Sequence, residues 1–278
     1  ESKLWVGMPT WPNHIPLLGS AGFDIKQYPY YDVDARQVDT DKMMEALRQV
    51  PVGDLVLLHG CCHNPTGADL TNEQWDSIAD LALERGFIPF IDTAYQGLGN
   101  GLDEDAYGMR MMAERLPEVI IASSCSKNFG LYRERTGSIT FIAETSEQAD
   151  IVVSQAMSTA RSIYSMPPAH GALLVSMVLG DPQLRSQWEA ELEEVRLRIK
   201  SMRNLLCDSL ENNAAGMDFS HIKRQNGMFS FLGITTPQLE RLRTEFGIYI
   251  VSSTRINLAG VNSNNIEYLT QSLLTVLE

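Results

Sequence analysis

The chain has 278 residues, of which 44% are hydrophobic and 21% charged, and its formal net charge is −13. These values are typical of a globular protein with either one large α/β domain or one large and one small domain. The acidic balance argues against a nucleic-acid or anionic-membrane surface, because phosphate groups require a basic face. No apolar run approaches the roughly 20 residues of a membrane span, so we predict no membrane segment.

The cysteines have no C-x-x-C spacing, which argues against a zinc ribbon and a disulfide framework. We therefore expect a cytoplasmic protein. Cys61, Cys62 and His63 are residue types that bind metals, but neighbouring residues on an extended segment point in opposite directions, so we predict no metal site.

The chain opens at Glu1 without a methionine and runs directly into an apolar segment, 3–7, that is typical of a core strand. A buried strand needs neighbouring strands, and domains rarely begin in mid-strand. We therefore expect a chain whose N-terminal portion is missing.

The elements of the first half alternate between helices and short apolar strands. We predict strands at 3–7, 23–31, 54–60, 87–91, 118–123 and 137–143, and helices at 13–18, 41–50, 71–85 and 104–116. The third of these helices begins with a Thr71-x-x-Gln74 capping box. This order predicts a mostly parallel central sheet flanked by helices with right-handed crossovers.

The second half is helical before it becomes a smaller α/β layer. We predict helices at 146–162, 169–179 and 182–212, then a hairpin-like region through 227–231, a helix at 237–246, strands around 249–252 and 255–258, and a helix from 264. The very long helix 182–212 predicts a strut between a large domain, 1–190, and a small C-terminal domain, 191–278.

Lys127 lies in a small polar turn after an apolar strand, between serines and ahead of Arg135. An amine beside an anion site is typical of a lysine nucleophile, although an ordinary surface lysine at a strand end fits the stretch equally well. Ser124 and Lys127 also match the Ser-x-x-Lys of penicillin-recognising hydrolases. That alternative is rejected because Ser-Asp-Asn and Lys-Thr-Gly are absent from the sequence.

Further polar and aromatic residues follow strands or prolines. Asp92 and Tyr95 follow the strand 87–91, where ligands bind in parallel sheets, although a carboxylate there can also cap a turn. Asn64 precedes a proline, which favours an extended backbone that presents its amide. Trp11 lies between two prolines and suits either stacking on a flat ligand or packing in the core.

Five motifs resemble the class I aminotransferases of the aspartate and aromatic amino acid subgroup, which are pyridoxal 5′-phosphate enzymes of fold type I. They are Thr10-Trp-Pro-Asn-His14, His59-Gly-Cys-Cys-His-Asn-Pro-Thr-Gly67, Asp92-Thr-Ala-Tyr95-Gln-Gly97, Ser124-Cys-Ser-Lys127-Asn-Phe-Gly-Leu-Tyr-Arg-Glu-Arg135 and Arg255-Ile-Asn-Leu-Ala-Gly260. They occur in the family's order over nearly the whole chain.

The resemblance implies a role for each matching residue. Lys127 bonds covalently to the cofactor aldehyde and then moves a proton, and Asp92 pairs with the ring nitrogen. Tyr95 and Asn64 bond to the ring's 3-oxygen, while Trp11 stacks on the ring. His14 supports Asp92, and Ser124 and Arg135 bind the cofactor phosphate.

The resemblance also implies the substrates and their binding residues. Arg255 grips the α-carboxylate, Phe229 forms an apolar wall, and Trp11 and Asn64 complete the substrate site. Arg161, from the neighbouring subunit of a homodimer, pairs with the side-chain carboxylate of a dicarboxylic substrate. The expected reaction moves an amino group between an aromatic or dicarboxylic L-amino acid and a 2-oxo acid such as 2-oxoglutarate.

The sequence departs from the family pattern at its front. The family's N-terminal arm, its glycine-rich phosphate loop and a tyrosine that reaches the partner's phosphate are not in the sequence, and Met8 stands where asparagine is usual. Three alternatives therefore stay open: an inactive fragment, another reaction on the same cofactor, and an effector-sensing domain of a transcription regulator.

Overall fold

The computed structural model describes residues 2–211 and 218–277. The strands are β1 (Leu4–Met8), β2 (Ile25–Pro29), β3 (Tyr31–Asp32), β4 (Gln37–Val38), β5 (Leu55–His59), β6 (Ile88–Thr93), β7 (Val119–Ser124), β8 (Gly137–Ile142), β9 (Phe229–Phe231) and β10 (Arg255–Asn257).

The helices are α1 (His14–Ser20), α2 (Thr40–Leu47), α3 (Asn72–Arg85), α4 (Tyr107–Arg115), α5 (Ser146–Tyr164), α6 (His170–Gly180), α7 (Pro182–Glu211), α8 (His221–Arg224), α9 (Thr236–Phe246) and α10 (Ile266–Leu277). Two short 3-10 helices lie at Glu104–Ala106 and Leu258–Gly260. No helix in 2–211 or 218–277 is both long enough and apolar enough to cross a membrane.

A six-stranded sheet with the order β2-β1-β5-β6-β7-β8 forms the centre of the molecule. All neighbouring pairs are parallel except β7 and β8, which are antiparallel. The predicted α/β fold with a mostly parallel sheet flanked by helices is confirmed. The register pairs His59 with Asp92 and Asp92 with Ala122, so the carboxyl ends of β5, β6 and β7 meet at one edge.

The sheet is covered because its strands are apolar on both faces. The first four residues of β5 are buried, as expected for a central strand between two layers. One face packs against α2, α3 and α4 through a core that includes Met43, Leu47, Trp75 and Met112. Burial of each such side chain contributes about 1.5–3 kcal/mol.

Local sequence signals set the boundaries of α3 as predicted. The Thr71 hydroxyl accepts from the Gln74 backbone N–H, and the Gln74 side chain accepts from the Thr71 backbone N–H. Gly86 ends the helix in the left-handed conformation, with φ of 73°. Helix α3 therefore has a fixed start and end beside the sheet.

The long helix α7 contacts two hydrophobic clusters. Leu192 and Ile199 pack with Tyr95, near the sheet edge, whereas Leu206 and Leu210 pack with apolar residues of the C-terminal layer. Its role as a strut between two domains stays a prediction, and its predicted last residue, Asn212, lies outside the described residues. The division into domains 1–190 and 191–278 stays a prediction.

Two details of the C-terminal prediction are wrong. β9 pairs antiparallel with β10, and α9 lies between them in the chain, so residues 227–231 are not part of a local hairpin. No strand forms around 249–252. Tyr249 and Val251 are 82% and 51% exposed, and the Val251 carbonyl accepts a turn hydrogen bond from Thr254, so the apolar residues there have no sheet to cover.

The contact between α3 and α4 predicts a packing-sensitive glycine. A Cβ added at Gly108 would lie 2.3 Å from ring atoms of the buried Trp75. We expect Gly108→Ala to lower the free energy of unfolding by about 1–3 kcal/mol, measured by urea denaturation. The control is Gly180→Ala, where no atom lies within 4 Å of the added Cβ. Equal effects of the two substitutions would contradict the packing described here.

Candidate active site

A cleft of about 350 Å³ lies at the carboxyl edge of β5, β6 and β7. Its position follows from the sheet register, which brings the ends of these strands together. The residues that line it are Trp11, Leu17, His59, Asn64, Asp92, Ala94, Tyr95, Ser124, Ser126, Lys127, Tyr132 and Arg135.

Asp92 lies within β6, one residue before its end, rather than just past the strand as the sequence predicts. His14 Nε2 lies 2.9 Å from Asp92 Oδ2. Burial alone would raise the pKa of Asp92, but the hydrogen bond from His14 and the charge of Lys127 lower it overall. The carboxylate is therefore ionised at neutral pH.

The imidazole of His14 is held from behind by two residues that sequence analysis missed. Thr10 Oγ1 lies 2.8 Å from His14 Nδ1 and 2.9 Å from His59 Nε2. Burial holds the pKa of His59 well below its ordinary value, so this ring is neutral. A continuous hydrogen-bonded chain thus joins Asp92, His14, Thr10 and His59 and fixes the orientation of the carboxylate.

The turn after β7 carries Lys127 into the cleft, where its Nζ lies 4.8 Å from the centroid of the Tyr95 ring. The turn is fixed from outside, because Trp188 Nε1 donates to the Asn128 carbonyl at 2.8 Å and the Trp188 ring stacks on Phe129. Burial and the charge of Arg135 lower the pKa of Lys127, whereas Asp92 opposes this shift. A larger fraction of the amine is therefore neutral than for an exposed lysine.

Tyr95 and Asn64 form a second wall. Asn64 Nδ2 lies 3.4 Å from the Tyr95 hydroxyl, and Asn64 Oδ1 accepts from Arg255 Nη1 at 2.8 Å. The Arg255 guanidinium lies over the Phe229 ring, with Cζ 4.4 Å from the centroid. Burial raises the pKa of Tyr95 to about 12, so its phenol stays protonated at neutral pH.

Hydroxyl groups and a guanidinium line the other end of the cleft. Ser124 Oγ lies 3.0 Å from Ser126 Oγ and accepts from the Ser126 backbone N–H. Arg135 adopts a positive φ of 52°, and its Nη1 donates to the Tyr132 carbonyl at 2.8 Å. This end offers fixed donors and a positive charge to an anion.

The family model for aminotransferase class I and II matches residues 1–273. The chain belongs to the class I and II aminotransferases. It is 51% identical to the aspartate aminotransferase of Haemophilus influenzae over 275 residues, which are 99% of this chain and 69% of that protein.

Solved structures of aromatic amino acid aminotransferases also match. The enzyme from Burkholderia pseudomallei, covalently bound to pyridoxal phosphate, superimposes with a TM-score of 0.98 at 42% identity, covering 100% of this chain and 70% of that chain. The enzyme from Psychrobacter sp. B6, cocrystallised with aspartic acid, gives 0.97 at 44% identity over the same shares. The sensor domain and the other cofactor reactions are not favoured by these relatives.

Within this aminotransferase, most of the predicted site residues lie together. Those that line the cleft are Trp11, Asn64, Asp92, Tyr95, Ser124, Lys127 and Arg135. His14, Arg255 and Phe229 are connected to them through the contacts with Asp92 and Asn64. Trp11 is 38% exposed, so the alternative of a core residue is wrong. Their individual roles stay predictions.

Arg161 is the predicted residue that lies elsewhere. It is exposed on α5 and does not line the cleft of its own chain. This position agrees with a role in the site of a second subunit, which a single chain does not test.

The polar residues that line or support the cleft without having been predicted include Thr10, His59, Ser126 and Tyr132. His59 ends a strand beside Asp92, and strand-end position is a signal that could have found it. Thr10, Ser126 and Tyr132 lie inside the quoted motifs, but nothing in their spacing distinguishes them from neighbours that point away.

The expectation that the side chains of Cys61 and Cys62 point in opposite directions is wrong. Cys62 has a φ of 51°, so the segment is not extended, and the two sulfur atoms and an Asp105 oxygen lie within 4.8 Å of one another. Asp105 accepts hydrogen bonds from the backbone N–H groups of Gly97, Gly99 and Asn100. Its carboxylate therefore already holds the loop that follows Tyr95.

The histidines behind the cleft predict acid sensitivity. Burial lowers the pKa of His63 from 6.5 to about 3, so the unfolded chain binds one more proton there between these pH values. The free energy of unfolding should fall by about 1.4 kcal/mol per pH unit for this proton as the pH decreases through that window. His63→Phe should reduce the slope by this amount, measured by urea denaturation from pH 7 to pH 4.

The control for this measurement is Ile78→Val, because Ile78 is fully buried and its substitution lowers stability without removing a titratable group. It should leave the pH dependence of the free energy of unfolding unchanged. An unaltered slope in His63→Phe would show that the His63 ring is not held neutral in the folded protein.

Proposed function

We propose that this chain is a pyridoxal-phosphate-dependent transaminase that moves the amino group between an aromatic or dicarboxylic L-amino acid and a 2-oxo acid such as 2-oxoglutarate. The observation that carries the proposal is the pair formed by Lys127 and Asp92 in one cleft, each of which shifts the pKa of the other. An amine of lowered pKa and an ionised acid are both needed beside the same cofactor ring.

The chemistry of the donor set fits pyridoxal phosphate. Ser124, Ser126 and Arg135 would hold the phosphate, because hydroxyl groups and a guanidinium match an anion. Asp92 would hold the protonated ring nitrogen, and Trp11 has an exposed face for stacking. When bound, the cofactor supplies an aldehyde that carries the amino group and a ring that accepts electrons from the substrate.

In the proposed mechanism, Lys127 first serves as the covalent anchor and then as an acid and base. Its lowered pKa would favour the neutral amine, which would take the proton from the substrate α-carbon as a base and then give up a proton as an acid. Asp92 keeps its charge because His14 donates to it, and this charge favours the protonated ring.

Tyr95 and Asn64 would direct hydrogen bonds to the phenolic oxygen of the cofactor. The phenol of Tyr95, whose pKa is raised to about 12, remains a donor at neutral pH. Asn64 Nδ2 donates to the Tyr95 hydroxyl oxygen, while Asn64 Oδ1 accepts from Arg255 Nη1. The Asn64 amide therefore connects Tyr95, which would bind the cofactor, with Arg255, which would bind the substrate.

The substrate α-carboxylate would bind to Arg255, whose guanidinium is half-buried and oriented by Asn64 and Phe229. A fixed guanidinium can form two parallel hydrogen bonds with a carboxylate. The Phe229 ring under it excludes water from one face. Arg255 thereby selects 2-amino and 2-oxo acids over simple amines and aldehydes.

A homodimer with a shared site accounts for Arg161. Helix α5 buries no side chain within this chain. Apolar groups around Arg161 are exposed, with Met157 at 67%, Ile163 at 72% and Met166 at 76%. Exposed apolar patches of this kind are typical of protein interfaces. The second subunit would bring its Arg161 to the side-chain carboxylate of aspartate or glutamate.

We also propose a cytoplasmic location, supported by the four free cysteines.

The first test of this function is amino transfer itself. The protein loaded with pyridoxal phosphate should form glutamate from 2-oxoglutarate with aspartate, tyrosine or phenylalanine as donor. Lys127→Ala should lower kcat by at least about 10³-fold, because it removes both the anchor and the proton carrier. Lys200→Ala, on the exposed side of α7, serves as the control. No transfer by the unaltered protein would contradict the proposal.

The second test separates the two donor classes. Arg161→Ala should lower kcat/KM for aspartate by about 10²-fold or more, because a buried carboxylate would lose its ion pair, and should change kcat/KM for phenylalanine far less. Arg185→Ala, at an exposed arginine of α7, is the matched control. An equal loss for both donors would argue against a role of Arg161 in recognising the second carboxylate.

A further inference from the structure

Arg203 of α7 is buried, with 2% of its surface exposed, and its guanidinium is surrounded by main-chain carbonyls. Nε donates to the Gly227 carbonyl at 2.8 Å and Nη1 to the Ile222 carbonyl at 2.9 Å. Nη2 donates to the Asn226 carbonyl at 2.8 Å and also to that of Phe229. Among the described residues, no carboxylate forms an ion pair with it.

Burying the charge of Arg203 is energetically unfavourable, so space filling alone does not explain an arginine at this position. Burial lowers the pKa of Arg203 to about 10 although the nearby Asp69 opposes this shift, so the side chain remains charged at neutral pH. Its direct hydrogen-bond partners are backbone carbonyls. A buried charge costs several kcal/mol, and an apolar side chain of similar volume often packs as well or better. The distinctive property of arginine here is that one planar group fixes four carbonyls at once.

The fixed carbonyls belong to the segment that leads into β9. The Asn226 backbone N–H donates to the Gly67 carbonyl at 2.8 Å. A Cβ at Gly67 would lie 2.4 Å from the Phe229 carbonyl oxygen and 2.9 Å from Arg203 Nη2. The turn 64–67 therefore packs directly on the guanidinium and on the carbonyls that it holds.

The turn 64–67 and the strand β9 also carry Asn64 and Phe229, the two residues that contact Arg255. Asn64, at the start of the turn, accepts from Arg255 Nη1 at 2.8 Å. Arg255 lies on β10, which pairs with β9, and its guanidinium covers the Phe229 ring. Arg203 thus holds both supports of Arg255, namely the Asn64 turn and the Phe229 strand, without reaching the cleft itself.

We propose that Arg203 is a positioning residue for substrate recognition, which fixes Arg255, Asn64 and Phe229 in the geometry that binds the α-carboxylate. This inference rests on the proposed function, because it assigns Arg203 to the same site. Lysine at this position would keep the charge but has no planar fork to span four carbonyls. The Asn64 turn and β9 would then move relative to each other, which a bidentate carboxylate site does not tolerate.

The test uses Arg203→Lys in the protein loaded with pyridoxal phosphate. We expect KM for aspartate, and the inhibition constant and calorimetric Kd of succinate as an unreactive dicarboxylate, to rise about tenfold or more, with a smaller change in kcat. Retention of the cofactor should be unchanged. Arg185→Lys, an exposed arginine of the same helix, should leave all these values within about twofold.

A double-substitution cycle distinguishes positioning from general stability. In an Arg255→Ala background, Arg203→Lys should lower kcat/KM by no more than about twofold, because the group that it positions is absent. A tenfold loss in both backgrounds, or an unchanged succinate Kd in the single variant, would overturn the inference. If Arg203→Lys does not fold, Arg203→Gln is measured in the same way. Failure of both variants to retain the cofactor would also overturn it, since Arg203 would then belong to the fold alone.

These outcomes are separate from a failure of the proposed function. Absence of cofactor binding or amino transfer in the unaltered protein would contradict that function. Normal transfer in the unaltered protein, together with normal succinate binding in Arg203→Lys, would contradict only the role of Arg203.

Discussion

The candidate site depends on keeping one half-buried carboxylate charged. Asp92 lies in a central strand, where desolvation favours the neutral acid, and the hydrogen bond from His14 reverses this preference. Thr10 and the neutral ring of His59 then hold His14 in place. Without this chain of hydrogen bonds the pKa of Asp92 would be higher, and its carboxylate would stabilise a protonated ring nitrogen less well.

The sheet topology explains why distant parts of the sequence contribute to this site. Residues near positions 10, 60, 92 and 125 each follow or end a strand of the parallel sheet, and parallel strands present their carboxyl ends at one edge. The long helix α7 then carries the C-terminal layer, including β9 and β10, over that edge. This layer meets the cleft where Arg203 packs on Gly67 and where Arg255 donates to Asn64.

Much of this could be predicted from sequence because the signals are local. Apolar runs bounded by turn residues gave the central strands, and the Thr71 capping box and Gly86 set the limits of α3. The C-terminal layer was harder to predict because β9 pairs with a strand that follows an intervening helix, and the apolar residues at 249–252 are not in a strand. Cys62 shows a third limit, since a positive φ turned its side chain in a direction that an extended segment does not allow.

The site was predicted through motif resemblance and less completely through physics. Lys127, Asp92 and Asn64 were found because their neighbours form long motifs, whereas Thr10 and His59 contribute through a network that exists only after folding. Arg203 gave no signal at all, because an arginine in a long, charged helix is indistinguishable in sequence from its exposed neighbours. Only its burial and its four carbonyl partners set it apart.

The most direct measurement of the central claim is to identify the lysine that pyridoxal phosphate modifies. The protein would be incubated with the cofactor, reduced with borohydride, digested with trypsin and analysed by mass spectrometry. The account predicts the added pyridoxyl mass in peptide 116–133, with cleavage blocked at Lys127. Stoichiometric modification of Lys3, Lys26, Lys42, Lys200 or Lys223 instead, with Lys127 unmodified, would contradict it.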